Sequence, residues 1–165
     1  MKLHRNVRQL GGILLALIIM VGLFNLFTYG YTTLVVNRAR VRGLYPTAEA
    51  AMLQRIAENY EGIQRVTIFY AGPNARYGSD PHVWYVTAEV RANNRADGSA
   101  LGDHNCDAPG SFFLQTHGGW FYVPEGAFPG MLGKWMQKYD LAGPGQSLPS
   151  TNLHSNRSYR FCQSD

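Results

Sequence analysis

Apolar and polar positions divide this chain into two regimes. Gly11 to Phe27 (GGILLALIIMVGLFNLF) is an uninterrupted apolar run with no charged side chain, whereas the residues beyond Val36 alternate with helical or strand periodicity. At about 1.5 Å per residue the 17 positions of the run cover roughly 26 Å of helix, just short of a bilayer hydrocarbon core. The softer continuation Thr28 to Val36 (TYGYTTLVV) supplies the remainder. A cleaved signal peptide has an apolar region of about 7–15 residues ending at a small-x-small site. Here the run is longer and passes into Tyr29, Tyr31 and the arginines Arg38, Arg40 and Arg42. Tyrosine suits the headgroup level, since its ring is apolar and its hydroxyl wet. The pattern therefore predicts a retained signal anchor over residues 10–36, with a short N-terminal segment 1–9 before it and a juxtamembrane linker 37–46 after it. Asn25 is the one strongly polar side chain inside the run, and an amide in lipid seeks a hydrogen-bond partner. A neighbouring helix of a partner subunit is the expected one.

The remaining pattern predicts one α+β domain over residues 47–142. Thr47 after Pro46 is a helix N-cap, with Glu49 in the first turn, and Met52, Leu53, Ile56, Ala57 and Tyr60 recur at helical spacing until Gly62 stops them. Ile63 to Tyr70 reads as a strand with Val66, Ile68 and Tyr70 on one face. His82 to Arg91 is a second strand, turning Trp84, Val86, Ala88 and Val90 inward. Ser111 to His117 and Trp120 to Val123 form a hairpin around Gly118-Gly119, whose glycines supply the positive φ of a tight turn. Met131, Leu132, Trp135, Met136 and Tyr139 make a second amphipathic helix, closed by Gly143-Pro144. The order helix–four strands–helix implies a small antiparallel sheet with two helices packed on one face. Residues 143–165 are rich in Gly, Pro, Ser and Asn and form an extended tail.

Charge changes the picture less than the sequence pI of about 9.2 suggests. From Asn37 onward there are 12 Lys and Arg against 11 Asp and Glu, and three of those cations are Arg38, Arg40 and Arg42 beside the apolar run. The basicity thus flanks the membrane, where anionic headgroups meet it, and no basic stripe for nucleic acid remains. Three basic residues precede the run (Lys2, Arg5, Arg8) and three follow it, so charge bias alone does not orient the anchor. The orientation follows from the signal-anchor layout and the cysteines. Cys106 and Cys162, both beyond the run, are expected to pair and tie down the tail, closing a loop of 57 residues in an oxidising compartment. The N-terminus is then cytoplasmic and the domain periplasmic or extracellular.

Candidate chemistry is sparse. Asp103-x-Asn105-x-Asp107 copies the opening of a calcium loop, but Ala108 and Leu114 stand where that pattern requires Gly and Glu. These three are weak metal candidates, and no metal or cofactor is expected. His82, His104 and His117 lie on different elements without ligand spacing, and no nucleophile or phosphate-loop signature occurs. The distinctive stretch is Gly118 to Trp135, where Trp120, Phe121, Tyr122 and Phe128 crowd a short strand and turn. Trp120 and Tyr122 share one face of that strand and Phe121 the other, so one core cannot cover both. Either the stretch is a core hairpin packed against the last helix or it is a docking surface; on the second reading Trp120, Phe121, Tyr122 and Phe128, with Asn25 in the span, are the docking residues. The sequence reads as a single-pass accessory, non-catalytic subunit, in contact with the lipid bilayer and other membrane protein subunits, of a bioenergetic complex or another membrane assembly. The alternative is a membrane-tethered enzyme or ligand-binding module using the loop 97–109.

Overall fold

The computed structural model describes residues 2–73, 80–124, 127–145, 151–152 and 162. A single helix α1, Lys2–Arg42, runs unbroken through the apolar run and on through the arginines. Its 41 residues measure about 62 Å, and it is long and apolar enough to cross a membrane. The expected linker is thus mostly helix. It ends at Gly43, whose φ of 103° is the left-handed conformation that stops a helix without a Cβ penalty. Tyr45 then exchanges two backbone hydrogen bonds with Trp120 (2.9 and 2.7 Å), so the chain leaving α1 is paired to the sheet edge.

Helix α2, Ala48–Asn59, starts as anticipated, with the Thr47 hydroxyl accepting from the Ala50 amide at 3.1 Å. It stops earlier than Gly62. Tyr60 is extended and opens the short strand β1 (Tyr60–Glu61), which pairs with β4 (Asn94–Arg95). The main sheet contains β2 (Arg65–Pro73), β3 (Val83–Arg91), β6 (Gly110–Thr116), β7 (Gly119–Tyr122) and β8 (Thr151–Asn152), in the order β7-β6-β3-β2-β8. Strand β5 (Cys106–Asp107) continues the line of β6 along β3, and every pairing is antiparallel. Helix α3, Pro129–Lys138, follows with Pro129 in its first turn.

Two local readings are corrected by register. Ile68 pairs with Ala88 but Tyr70 pairs with Thr87, so Phe69 is a bulge and every later residue of β2 changes face. Ala71, not Tyr70, continues the Val66–Ile68 face into the core. In the hairpin, Thr116 pairs with Gly119, which leaves His117-Gly118 as the two-residue loop. Gly119 is glycine for another reason: its φ is 137°, and a Cβ there would lie 2.5 Å from the Tyr45 carbonyl oxygen.

The sheet is covered on both faces, not on one. Trp84, Val86, Ala88, Val90, Phe113 and Trp120 pack against Ala48, Ala51, Met52 and Ile56 of α2. Their strand neighbours Val83, Leu114, Phe121 and Val123 face the other way, against Leu132 and Met136 of α3 and Val36 and Ala39 of α1. Two cores resolve the aromatic crowding of β7, since each face of its alternating pattern meets its own helix layer. The apolar helix is therefore also a core element of the domain.

Candidate functional site

Three constellations stand out, and the first joins α1 to α3. Along α1, Thr28, Thr32, Val36 and Ala39 form a buried stripe at helical spacing. Thr32 satisfies its hydroxyl on the Thr28 carbonyl (2.6 Å), which lets a polar side chain sit in that seam. The Thr28 and Tyr139 hydroxyls are 2.6 Å apart, and Tyr139 also donates to the Asn25 carbonyl at 3.2 Å. The Asn25 amide donates to Val21 within its own helix at 2.8 Å, and its oxygen accepts from Lys138. Rings extend the seam: Trp135 lies edge-on to Phe24 and Tyr31 (6.5 and 6.3 Å between centroids), and Tyr139 edge-on to Tyr29 at 5.2 Å. Asn25 thus meets its own chain's α3 in this structure.

The second constellation is a groove of about 740 Å³ between α1, α2 and the end of β7. Its apolar lining includes Leu34, Val35, Phe121 and Leu132, and its charged lining includes Arg38 and Arg42 of α1 and Arg55 of α2. Tyr122 is half-buried here beneath the Arg55 guanidinium, 3.7 Å above the ring centroid, a cation–π contact.

The third is the clamp that closes the loop 97–109. Asp107 Oδ2 accepts from the Tyr60 hydroxyl (2.8 Å) and from Arg95 Nη2 and Nε (2.7 and 3.2 Å), while Oδ1 accepts from the Ala108 amide at 2.8 Å. Burial pushes the Asp107 carboxyl up, but Arg95, Tyr60 and Ala108 outweigh it and hold its pKa below the ordinary value. Burial and then Asp107 push the Tyr60 phenol up to about 12. A carboxylate with its lone pairs claimed this way is a structural clamp between β1, β4 and β5. Asp103–Asn105 is a short 3-10 turn, with His104 and Asn105 at positive φ, and the Asn105 carbonyl accepts from the Ala92 amide at 3.1 Å. Of the three calcium-loop residues, Asp107 is thus turned to Arg95 while Asn105 is exposed. Cys106 and Cys162 are bonded, with Cα atoms 5.6 Å apart, and the Cys162 amide donates to Glu89 Oε2 at 3.1 Å.

The aromatic set separates. Trp120 is fully buried on the α2 face and Phe121 is buried on the α3 face. Both are core residues in this structure. Phe128, at the N-cap of α3, is 74% exposed. The turn residues Glu125 and Gly126 lie outside the described residues, as does most of the tail beyond Gly145. Sequence reasoning did not single out Thr28 or Lys138, and read Tyr139 only as part of the apolar stripe of the last helix. The signal was the four-residue spacing of Thr28 and Thr32, muted because threonine reads as neutral in an apolar run.

No protein-family model, curated protein or solved structure matches this chain. Its class is defined by its own architecture: an α+β domain built onto the end of one long apolar helix.

Proposed function

We propose that the protein is a single-pass membrane-anchored accessory subunit, with its N-terminus in the cytoplasm and its α+β domain outside, docking on a larger membrane assembly. The observation that carries this reading is the continuity of α1. One helix supplies the apolar span and then, through Val36 and Ala39, part of a core of the domain. Such a domain is held at a fixed height and angle over the bilayer, which suits a subunit that positions a surface for a partner. The surface is centred on Phe128 and the neighbouring groove with Tyr122 and Arg55 in its lining, while Trp120 and Phe121 support it from within. Exposed aromatic and arginine side chains are the usual anchors of such contacts.

Extraction of native membranes in mild detergent tests the reading. The protein should elute within an assembly larger than its own micelle. Phe128→Ala should release it without lowering its melting temperature, by roughly 2 kcal/mol or about thirtyfold in affinity. Trp120→Ala should instead destabilise the domain by about 3–5 kcal/mol, as a buried tryptophan does. Elution alone, unchanged by Phe128→Ala, counts against the docking role.

A further inference from the structure

We propose that the last turn of α3 is a second membrane-contacting element, so that the domain is seated into the outer edge of the bilayer and not carried above it on a stalk. The proposal rests on reading α1 as the span. A hydrocarbon core of about 30 Å takes about 20 helical residues. Begun at Gly11, it ends near Gly30, and Arg8 opposes a shift toward the N-terminus. Trp135, Lys138 and Tyr139 are fixed against Phe24, Asn25, Thr28, Tyr29 and Tyr31, by ring contacts and hydrogen bonds on both sides of the seam. The end of α3 therefore lies beside the last two turns of the span, from Phe24, about 9 Å inside the hydrocarbon edge, to Tyr31 just beyond it.

Composition agrees with that height. Two tyrosines of α1 and a tryptophan and tyrosine of α3 form one aromatic cluster, the composition of an interfacial belt. Both elements expose apolar surface: Phe24, Phe27, Tyr29 and Tyr31 on α1, and Met131, 48% exposed, on α3. Met131, Lys134 and Lys138 share one face of α3 at spacings of three and four, and both lysines are exposed. The Lys138 ammonium is held by Asn25 Oδ1, whereas Lys134 is free to lay its aliphatic stem along lipid and lift its ammonium to a phosphate. The occupant of this face is thus the phospholipid bilayer itself, the same partner that the adjoining helix meets.

The three tryptophans make the test specific. Trp84 and Trp120 are buried in the α2-face core, whereas Trp135 is half-buried at the seam. The full-length protein is reconstituted in phosphatidylcholine vesicles containing phosphatidylglycerol, with acyl chains brominated near the headgroup end or near the chain end. Shallow bromines should quench part of the tryptophan emission more than deep ones, and Trp135→Phe should abolish that part. A nitroxide on Met131→Cys, measured in the same vesicles, should be accessible to oxygen and protected from a water-soluble paramagnetic reagent. Emission that shallow bromines leave unchanged, or a nitroxide fully open to the aqueous reagent, overturns the proposal while the span stands. Release of the protein by an alkaline carbonate wash overturns the span reading, and this proposal with it.

Discussion

Asp107 shows at the scale of one residue how a motif fragment changes meaning in three dimensions. Its place in D-x-N-x-D suggested an oxygen ligand, yet its carboxylate is spent on Arg95, Tyr60 and Ala108. No local spacing announces this, because Tyr60 lies 47 positions away and is delivered by the early end of α2. The clamp has a pH signature whose sign follows from the two shifts. Asp107 is held below its ordinary 3.8, so the unfolded chain binds that proton more readily. Its contribution is complete above about pH 4 and is lost as pH falls through the lower folded value. Tyr60 is raised from 10.0 to about 12, so its contribution is complete below pH 10 and is lost as pH rises toward 12. Denaturant unfolding of the full chain in detergent, repeated across pH, should show both limbs. Asp107→Asn should flatten the acid limb and move the alkaline limb to lower pH. An acid limb that survives the substitution assigns it to other carboxylates.

At the scale of elements, α3 owes its position to the smallest residue it contains. A Cβ on Gly133 would lie 2.6 Å from Val83 Cγ2 and 3.4 Å from Leu114 Cδ2, so the helix rests directly on β3 and β6. Gly133→Ala gains about 1 kcal/mol of helix propensity. It also forces α3 off a buried β-branched neighbour, an overpacking cost of about 1–3 kcal/mol. The cost should win, with Gly133→Val worse, and the melting temperature of the full chain should fall in that order. A rise with Gly133→Ala would mean that α3 stands further from the sheet. The elements were legible where one covered face writes its period into the chain: Met52 and Ile56 in α2, Trp84 to Val90 in β3, Leu132 and Met136 in α3. They were illegible where the cause is non-local. The bulge at Phe69 shifts the register by one residue and leaves no compositional trace. The extension of α1 through Arg38, Arg40 and Arg42 looks like a polar linker because its buried stripe is only Val36 and Ala39. The second covered face of the sheet depends on that extension, so it was hidden too.

At the scale of the whole molecule, the domain is closed at two ends. Near its start, the Tyr45–Trp120 bridge and the Val36–Ala39 contacts tie it to α1. Near its finish, β8 pairs with the edge of β2 at Tyr70 and Ala71, and Cys162 is bonded to Cys106 beside β3. The second closure depends on redox state. Six of the nine residues between β8 and Cys162 are polar or charged, and the bond ties the far end of that segment covalently to the sheet. Chain entropy for a cross-link spanning 56 positions gives about 4 kcal/mol, as a constraint on the unfolded chain. Its loss also frees the Cys162 amide from Glu89, a half-buried contact that only the closed tail supplies. Reduction, or Cys106→Ser with Cys162→Ser, should therefore lower the melting temperature by on the order of 10–20 °C, with the tail becoming sensitive to protease before the sheet does. The same bond tests the side of the membrane. On intact cells, a maleimide that cannot cross the bilayer should label the protein only after external reductant is added. Labelling without reductant would show free thiols and remove the tether. Labelling only after the cells are opened would place the domain on the cytoplasmic side and reverse the topology.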